Sequence, residues 1–240
     1  MPKTLAALML CALAVAGCSH ARTLDFSGYT WSVRGDGVGD PANNAWKQDN
    51  AWVDAQGRLH LRLTHSLGGW SSAEVVMEKR LGFGTYQFEI DTPVDRFDKN
   101  VVLGLFNYPT EDVGPNRTNE IDIEFARWGE AVNPPLNYTA WPADLQHEPT
   151  GKTFELGKIT TQSTHRWIWH ADSIRFQAMS GHTDGDANEI ADYTLAPPAE
   201  AKAISQSAMP VHINLWMKAP PSDGKPVEVI ISKFTFTPAS

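Results

Sequence analysis

From residue 26 onward, apolar and polar positions alternate in short stretches that are broken by turn residues. Residues 59–64 (Leu-His-Leu-Arg-Leu-Thr) alternate strictly and follow the turn chemistry of Asp54-Ala55-Gln56-Gly57. Residues 85–90 alternate as well and stop at Asp91-Thr92-Pro93. Residues 100–108 form a continuous apolar run, which fits a strand in the middle of a sheet. Further strands are predicted over 120–125, 137–141, 165–170, 173–178, 212–216 and 227–235. A set of about ten short strands, spaced by Gly, Pro and Asp turns, indicates an all-β chain folded as an antiparallel sandwich. One brief helix is expected over 199–206, and the Gly- and Asp-rich stretch 34–44 reads as a plain loop.

The first 25 residues follow another pattern. Lys3 precedes about ten apolar residues and then small ones, the layout of an export signal. The apolar stretch is shorter than the roughly 20 residues of a membrane span. Val15-Ala16-Gly17-Cys18 resembles the lipobox of bacterial lipoproteins. The expectation is a signal over 1–17, lipidation at Cys18, a tether over 18–25 and one domain over 26–240. Cys11 would leave with the signal, so no disulfide is expected. The remaining length suits a single all-β domain. With 28 acidic against 20 basic residues, net charge −8 and no basic run, nucleic acid is excluded as a partner. Contact with a membrane is expected only through the lipid anchor, and the protein is expected to be a monomer.

The candidate chemistry lies in Asn119-Glu120-Ile121-Asp122-Ile123-Glu124-Phe125. On a strand, Ile121, Ile123 and Phe125 face the core and Glu120, Asp122 and Glu124 face the other way. The outer Cα atoms then lie roughly 13 Å apart, a gap that two Glu side chains leaning together can close. Retaining glycoside hydrolysis needs nucleophile and acid/base carboxyls about 5–5.5 Å apart. A shorter Asp between them would hydrogen-bond a neighbour and help keep one Glu protonated. A solvated outer strand or a Ca²⁺ site would use the same residues. No His pair has zinc spacing and no Gly-x-Ser-x-Gly elbow occurs, so no metal and no cofactor are expected.

The acidic strand resembles the catalytic strand of family 16 glycoside hydrolases, which carry Glu-x-Asp-x-Glu on a β-jelly roll like that of legume lectins. Gly82 to Phe88, Val101 to Tyr108, His165 to Trp169, Pro210 to Trp216 and Val227 to Pro238 look like other strands of that family, in order. The resemblance covers nearly all of Phe26 to Pro238. It implies a sandwich jelly roll of two antiparallel sheets, with Glu120 as nucleophile, Asp122 as helper and Glu124 as acid/base. The unbulged spacing leans toward a mixed-linkage or 1,4-linked β-glucan, a polysaccharide or oligosaccharide partner. Licheninases carry a Trp just before the triad, where this chain has Thr118-Asn119. A lectin-like binder, a transglycosylase and a calcium-binding envelope scaffold are the rival readings.

Sugar rings stack on aromatic side chains, so a glycan cleft needs exposed Trp and Tyr. Trp216 and Asn214 share a strand face and resemble family cleft residues; Tyr108 ends the neighbouring strand. Arg127 and Trp128 follow the catalytic strand closely and are candidates to flank the site, core packing being an equal expectation for Trp128. Tyr138 and Trp141 have opposite parity, so at most one faces the sugar. Trp31, Trp46, Trp52 and Trp167 are expected in the core, Trp70 at one end of the cleft, and His165 and His170 in structural roles.

Overall fold

The computed structural model describes residues 22–157, 161–198 and 202–240. The expected signal and Cys18 lie outside the described residues, as do 199–201 of the expected helix; residues 202–206 are irregular rather than helical. Among the described residues the helical turns are two 3-10 turns, Gln48–Asn50 and Val94–Arg96. No described helix is long and apolar enough to cross a membrane.

The strands in chain order are β1 (Thr23–Phe26), β2 (Tyr29–Val33), β3 (Gly37–Gly39), β4 (Asn44–Trp46), β5 (Ala51–Val53) and β6 (Leu59–Ser66). They continue as β7 (Gly69–Ser71), β8 (Ala73–Met77), β9 (Gly84–Ile90), β10 (Val101–Asn107), β11 (Ile121–Ala126) and β12 (Leu136–Ala140). The last six are β13 (Thr150–Phe154), β14 (Ser163–Trp169), β15 (Ile174–Ser180), β16 (Glu189–Leu195), β17 (Val211–Met217) and β18 (Val227–Pro238). One sheet has the order β1-β2-β8-β17-β10-β11-β12-β13, and the other β16-β15-β14-β9-β18-β6-β5 with β7 on β6. A separate β3–β4 ribbon completes the set. The ladders are antiparallel throughout. This is the expected two-sheet sandwich, and each of the nine strands predicted by number above is present within a few residues.

Period-two patterning places the core. Leu59, Leu61 and Leu63 of β6 are fully buried, as are Ile123 and Phe125 of β11. Phe88, Trp167 and Phe176 join the β6 leucines from the same sheet, facing β11. Tyr138 of β12 stacks on Phe176 of β15 with ring centroids 4.9 Å apart, which ties the two sheets together. Trp31 and Trp167 are core residues as expected. Trp46 is buried elsewhere, against Val102, Ala126 and Trp216 on the outer face of the first sheet. Trp52 is half-buried on the outer face of the second sheet, stacked on His60 at 4.8 Å. Strand β10 is buried on both faces because β11 and β17 flank it, the core lies beneath it and that outer cluster lies above it.

Candidate active site

Parity places the three carboxylates. Ile121, Ile123 and Phe125 enter the core, each burial contributing about 1.5–3 kcal/mol, and this anchors a strand whose other face is crowded with acid. Asp122 is 3% exposed, whereas Glu120 and Glu124 are half-buried. The antiparallel register then builds a floor from neighbouring strands. Glu124 lies opposite Gly104, Gly104 opposite Asn214, and Asn214 opposite Glu74. One step along, Asp122 lies opposite Phe106, Phe106 opposite His212, and His212 opposite Val76.

Above this floor is a bay of about 540 Å³, within the size range of small-ligand sites. Glu120 and Glu124 stand at its β11 side, Tyr108 and Phe106 rise from β10, and His212 and Asn214 from β17. Arg34 follows β2, and Asp40 and Pro41 come from the turn of the β3–β4 ribbon, so the stretch read as a plain loop supplies a wall. Glycine is required at 104: a Cβ there would meet Asn214 Oδ1 at 2.6 Å. Asn214 Oδ1 is buried with no hydrogen-bond partner among the described residues.

Charge is distributed unevenly across the bay. Glu74 accepts from Arg34 at 2.6 Å and from His212 Nδ1 at 2.9 Å. Burial alone would raise its carboxyl, but the His212 and Arg34 contacts outweigh that and hold it below the usual range. The triad shows the reverse. Burial, followed by the negative charge of Asp122, pushes Glu124 well up. Burial and then the charge of Glu120 push Asp122 up; only the Trp141 contact opposes this. Glu120 is raised first by burial and further by Glu124 and Glu74, while its contact with Asp122 acts against the rise. Asp122 and Glu120 therefore titrate as a pair, each acting on the other. Burial, and next the charge of Glu120, keep Tyr108 a neutral phenol.

All three carboxyls are thus raised, Glu120 to about 8; acid-assisted displacement requires that one of them keep its proton while another gives its own up. Among the described residues no group of three or more His, Cys, Asp or Glu side chains is arranged to hold a metal ion.

The structure brings Glu120, Glu124, Asn214, Tyr108 and Trp216 to one bay, with Asp122 beneath it. Trp216 contributes an edge only: it is 7% exposed and is covered by Trp46 and Trp128. Arg127 and Trp128 are not brought to the bay. The Arg127 guanidinium donates to the carbonyls of Ala131 and Asn133 in its own loop. Trp128, at φ 54°, turns its indole N–H to Asn137 Oδ1 at 3.1 Å. Trp70 packs against His65 on the second-sheet side instead of at an end of the bay. Glu74, Arg34 and His212 are among the bay residues not singled out from sequence. Glu74 interrupts the apolar stretch Ala-Glu-Val-Val-Met, and this buried charge was its available signal. Arg34 and His212 gave no signal, since their meaning comes from pairing across strands far apart in the chain.

No protein-family model and no curated protein matches the chain. Solved structures do. A Bacillus licheniformis β-glucanase is 19% identical with a TM-score of 0.65, covering 87% of this chain and 92% of its own. A prokaryotic β-1,3-1,4-glucanase (lichenase) from a mouse hindgut metagenome is 18% identical with a TM-score of 0.65, covering 87% and 93%. An immunostimulatory antigen and pseudo β-1,3-glucanase of Mycobacterium tuberculosis is 16% identical with a TM-score of 0.66, covering 88% and 91%. At these identities the likeness concerns the fold, which is the jelly-roll sandwich of β-glucanase structures.

Proposed function

We propose that this chain is a retaining, endo-acting glycoside hydrolase that cleaves a mixed-linkage or 1,4-linked β-glucan. The observation that carries the reading is the triad itself: Glu120 and Glu124 side by side on the wall of a bay with Asp122 buried between them on the same strand face, and no cation paired to any of them among the described residues. Glu124, whose hold on its proton is strengthened by burial, is the acid and gives that proton to the glycosidic oxygen as the bond to the anomeric carbon breaks. Glu120 attacks that carbon from the opposite face and forms a glycosyl ester. Asp122 neighbours Glu120 and takes up the changing charge as the ester forms and breaks. Water then enters, Glu124 removes its proton, and the sugar leaves with inverted-twice, hence retained, configuration. The fold shared with β-glucanases supports the substrate class. Export and lipidation at Cys18 are part of the same proposal, since a polysaccharide substrate lies outside the cytoplasm.

The test is product formation by the purified protein on a panel of β-glucans and marine galactans, with E124A alongside. Chain shortening by the wild type alone supports the hydrolase and names the glycan. The pseudo-glucanase among the structural neighbours favours one alternative, a glycan binder of the same shape. Retention on one glycan without cleavage selects that alternative.

A further inference from the structure

The bay occupies one side of Glu120, over β10, β17, β8 and β2. The other side is β12, and there one residue stands out. Glu124 pairs with Asn137 and Asp122 with Thr139, so the next residue on the same face, Trp141, falls beside Glu120. The Trp141 backbone N–H confirms that register by donating to the Glu120 carbonyl at 2.8 Å. Its indole Nε1–H donates to Asp122 Oδ2 at 2.9 Å. Asp122 Oδ1 is buried and has no hydrogen-bond partner among the described residues, while the charge of Glu120 acts on the same carboxyl. The ring is only half-buried, and the Arg117 guanidinium stands 6.0 Å from its centre. Tyr138, of opposite parity, is fully buried between the sheets.

The sequence before the triad supplies no such group. Thr118 and Asn119 are buried in a tight loop, where Asn119 Nδ2 donates to Thr118 Oγ1 and Thr118 Oγ1 to the Pro115 carbonyl. Their side chains are turned inward and offer no flat face to a ligand.

We infer that Trp141 is both the residue that positions Asp122 and the stacking platform for the sugar ring on the side of the scissile bond away from the bay. The inference rests on the hydrolase reading and extends it. An indole is suited to both tasks: its N–H fixes one oxygen of Asp122 and so holds the carboxyl between Glu120 and Glu124, while its ring face meets the apolar C–H face of a sugar. A leaving sugar occupies that position in the first step of either reaction; attack on the ester by water then gives hydrolysis, and by a new sugar bound there gives transfer.

The test compares W141F, which keeps a flat ring without the N–H, with W141A, which lacks both. Carbon-13 NMR titration of the Asp122 carboxyl needs no turnover; losing the donor moves that titration upward by about one unit. In an E120Q background, a mixed-linkage β-glucan oligosaccharide shifts the Trp141 indole N–H resonance, identified by its disappearance in W141F. In turnover, W141F lowers kcat and moves the acid limb of the pH–rate profile upward at nearly constant KM. W141A also raises KM about tenfold, the scale of one aromatic stack. W141L, apolar without a flat face, replaces W141A should that variant fail to fold. An Asp122 titration unchanged in W141F overturns the positioning role. An indole resonance that the oligosaccharide leaves in place overturns the platform. A wild type that cleaves nothing defeats the hydrolase reading alone, because both NMR measurements still decide this inference.

Discussion

The outer faces of the two sheets hold similar acidic side chains and treat them in opposite ways. On the second sheet, His60 bridges two carboxylates, Glu228 at 2.7 Å and Asp54 at 3.0 Å. Arg62 adds a contact to Glu228, and Arg58 one to Asp54. Burial opposes their charge, yet these hydrogen bonds hold both carboxyls below the usual range. On the first sheet, no ion pair among the described residues reaches Glu120, Asp122 or Glu124, and all three are pushed up. Glu74, separated from the triad by β17 and β10, follows the second-sheet pattern because Arg34 and His212 reach it. The difference is therefore local neutralisation and not sheet identity. Paired acids serve the fold, whereas unpaired buried acids burden it and mark a place where chemistry has been kept at the expense of stability.

The strongest way to break the contrast is to remove one unpaired acid. Glu120→Gln should lower turnover by at least about 10³-fold, since no neighbour can replace the nucleophile. Thermal unfolding of the same variant should stay level or move to higher temperature, because a crowded charge has gone. Activity that survives this change removes Glu120 from its role. A second cut goes to the floor that keeps the acids apart. Gly104→Ala places a methyl 2.6 Å from Asn214 Oδ1, and denaturant unfolding should show a loss of about 1–3 kcal/mol. Catalysis should fall with it, as Glu124 lies directly opposite on β11.

How much of this contrast was legible in the sequence depends on range. The triad was legible because strand parity is a local property: Ile121 and Ile123 fix where Glu120, Asp122 and Glu124 point. The long strands were legible for the same reason, β6 by its alternation and β10 by its apolar run. Nine shorter or edge strands were not predicted, among them β13, which is exposed along most of its length and carries almost no hydrophobic signal. Strand β8 was missed although it lies inside a sheet, because Glu74 interrupts its apolar pattern for a reason visible only after Arg34 and His212 are seen beside it. Arg127 and Trp128 failed as cleft residues because the chain leaves the strand at that point; Trp128 takes a left-handed φ and the loop uses Arg127 for its own carbonyls. Trp141 could be placed only once the β11–β12 register was known.

The pH dependence of stability sharpens the comparison, with opposite signs on the two faces. The triad binds protons more tightly folded than unfolded, so its contribution falls as pH rises from about 4, where unfolded carboxyls ionise, into the neutral range. Each unit of raised titration corresponds to about 1.4 kcal/mol at full effect. Chemical denaturation of wild type and E124Q at a series of pH values should therefore diverge upward from about pH 4, with the variant losing less.

The second sheet gives the smallest effect and runs the other way. Glu228 titrates lower folded than unfolded, so its contribution is present above about pH 4.3 and is lost as pH falls through its lowered folded value. The Arg62 side chain is 41% exposed, so solvent screens its pair with Glu228. Glu228→Gln should accordingly cost about 0.2–1 kcal/mol at neutral pH, and less in high salt. Its unfolding curves should converge with those of the wild type in acid, where E124Q also approaches the wild type, and kcat/KM should not change. A loss of activity in Glu228→Gln would mean that the two outer faces are coupled through the core. The ordering of paired and unpaired acids would then describe one network instead of two independent faces.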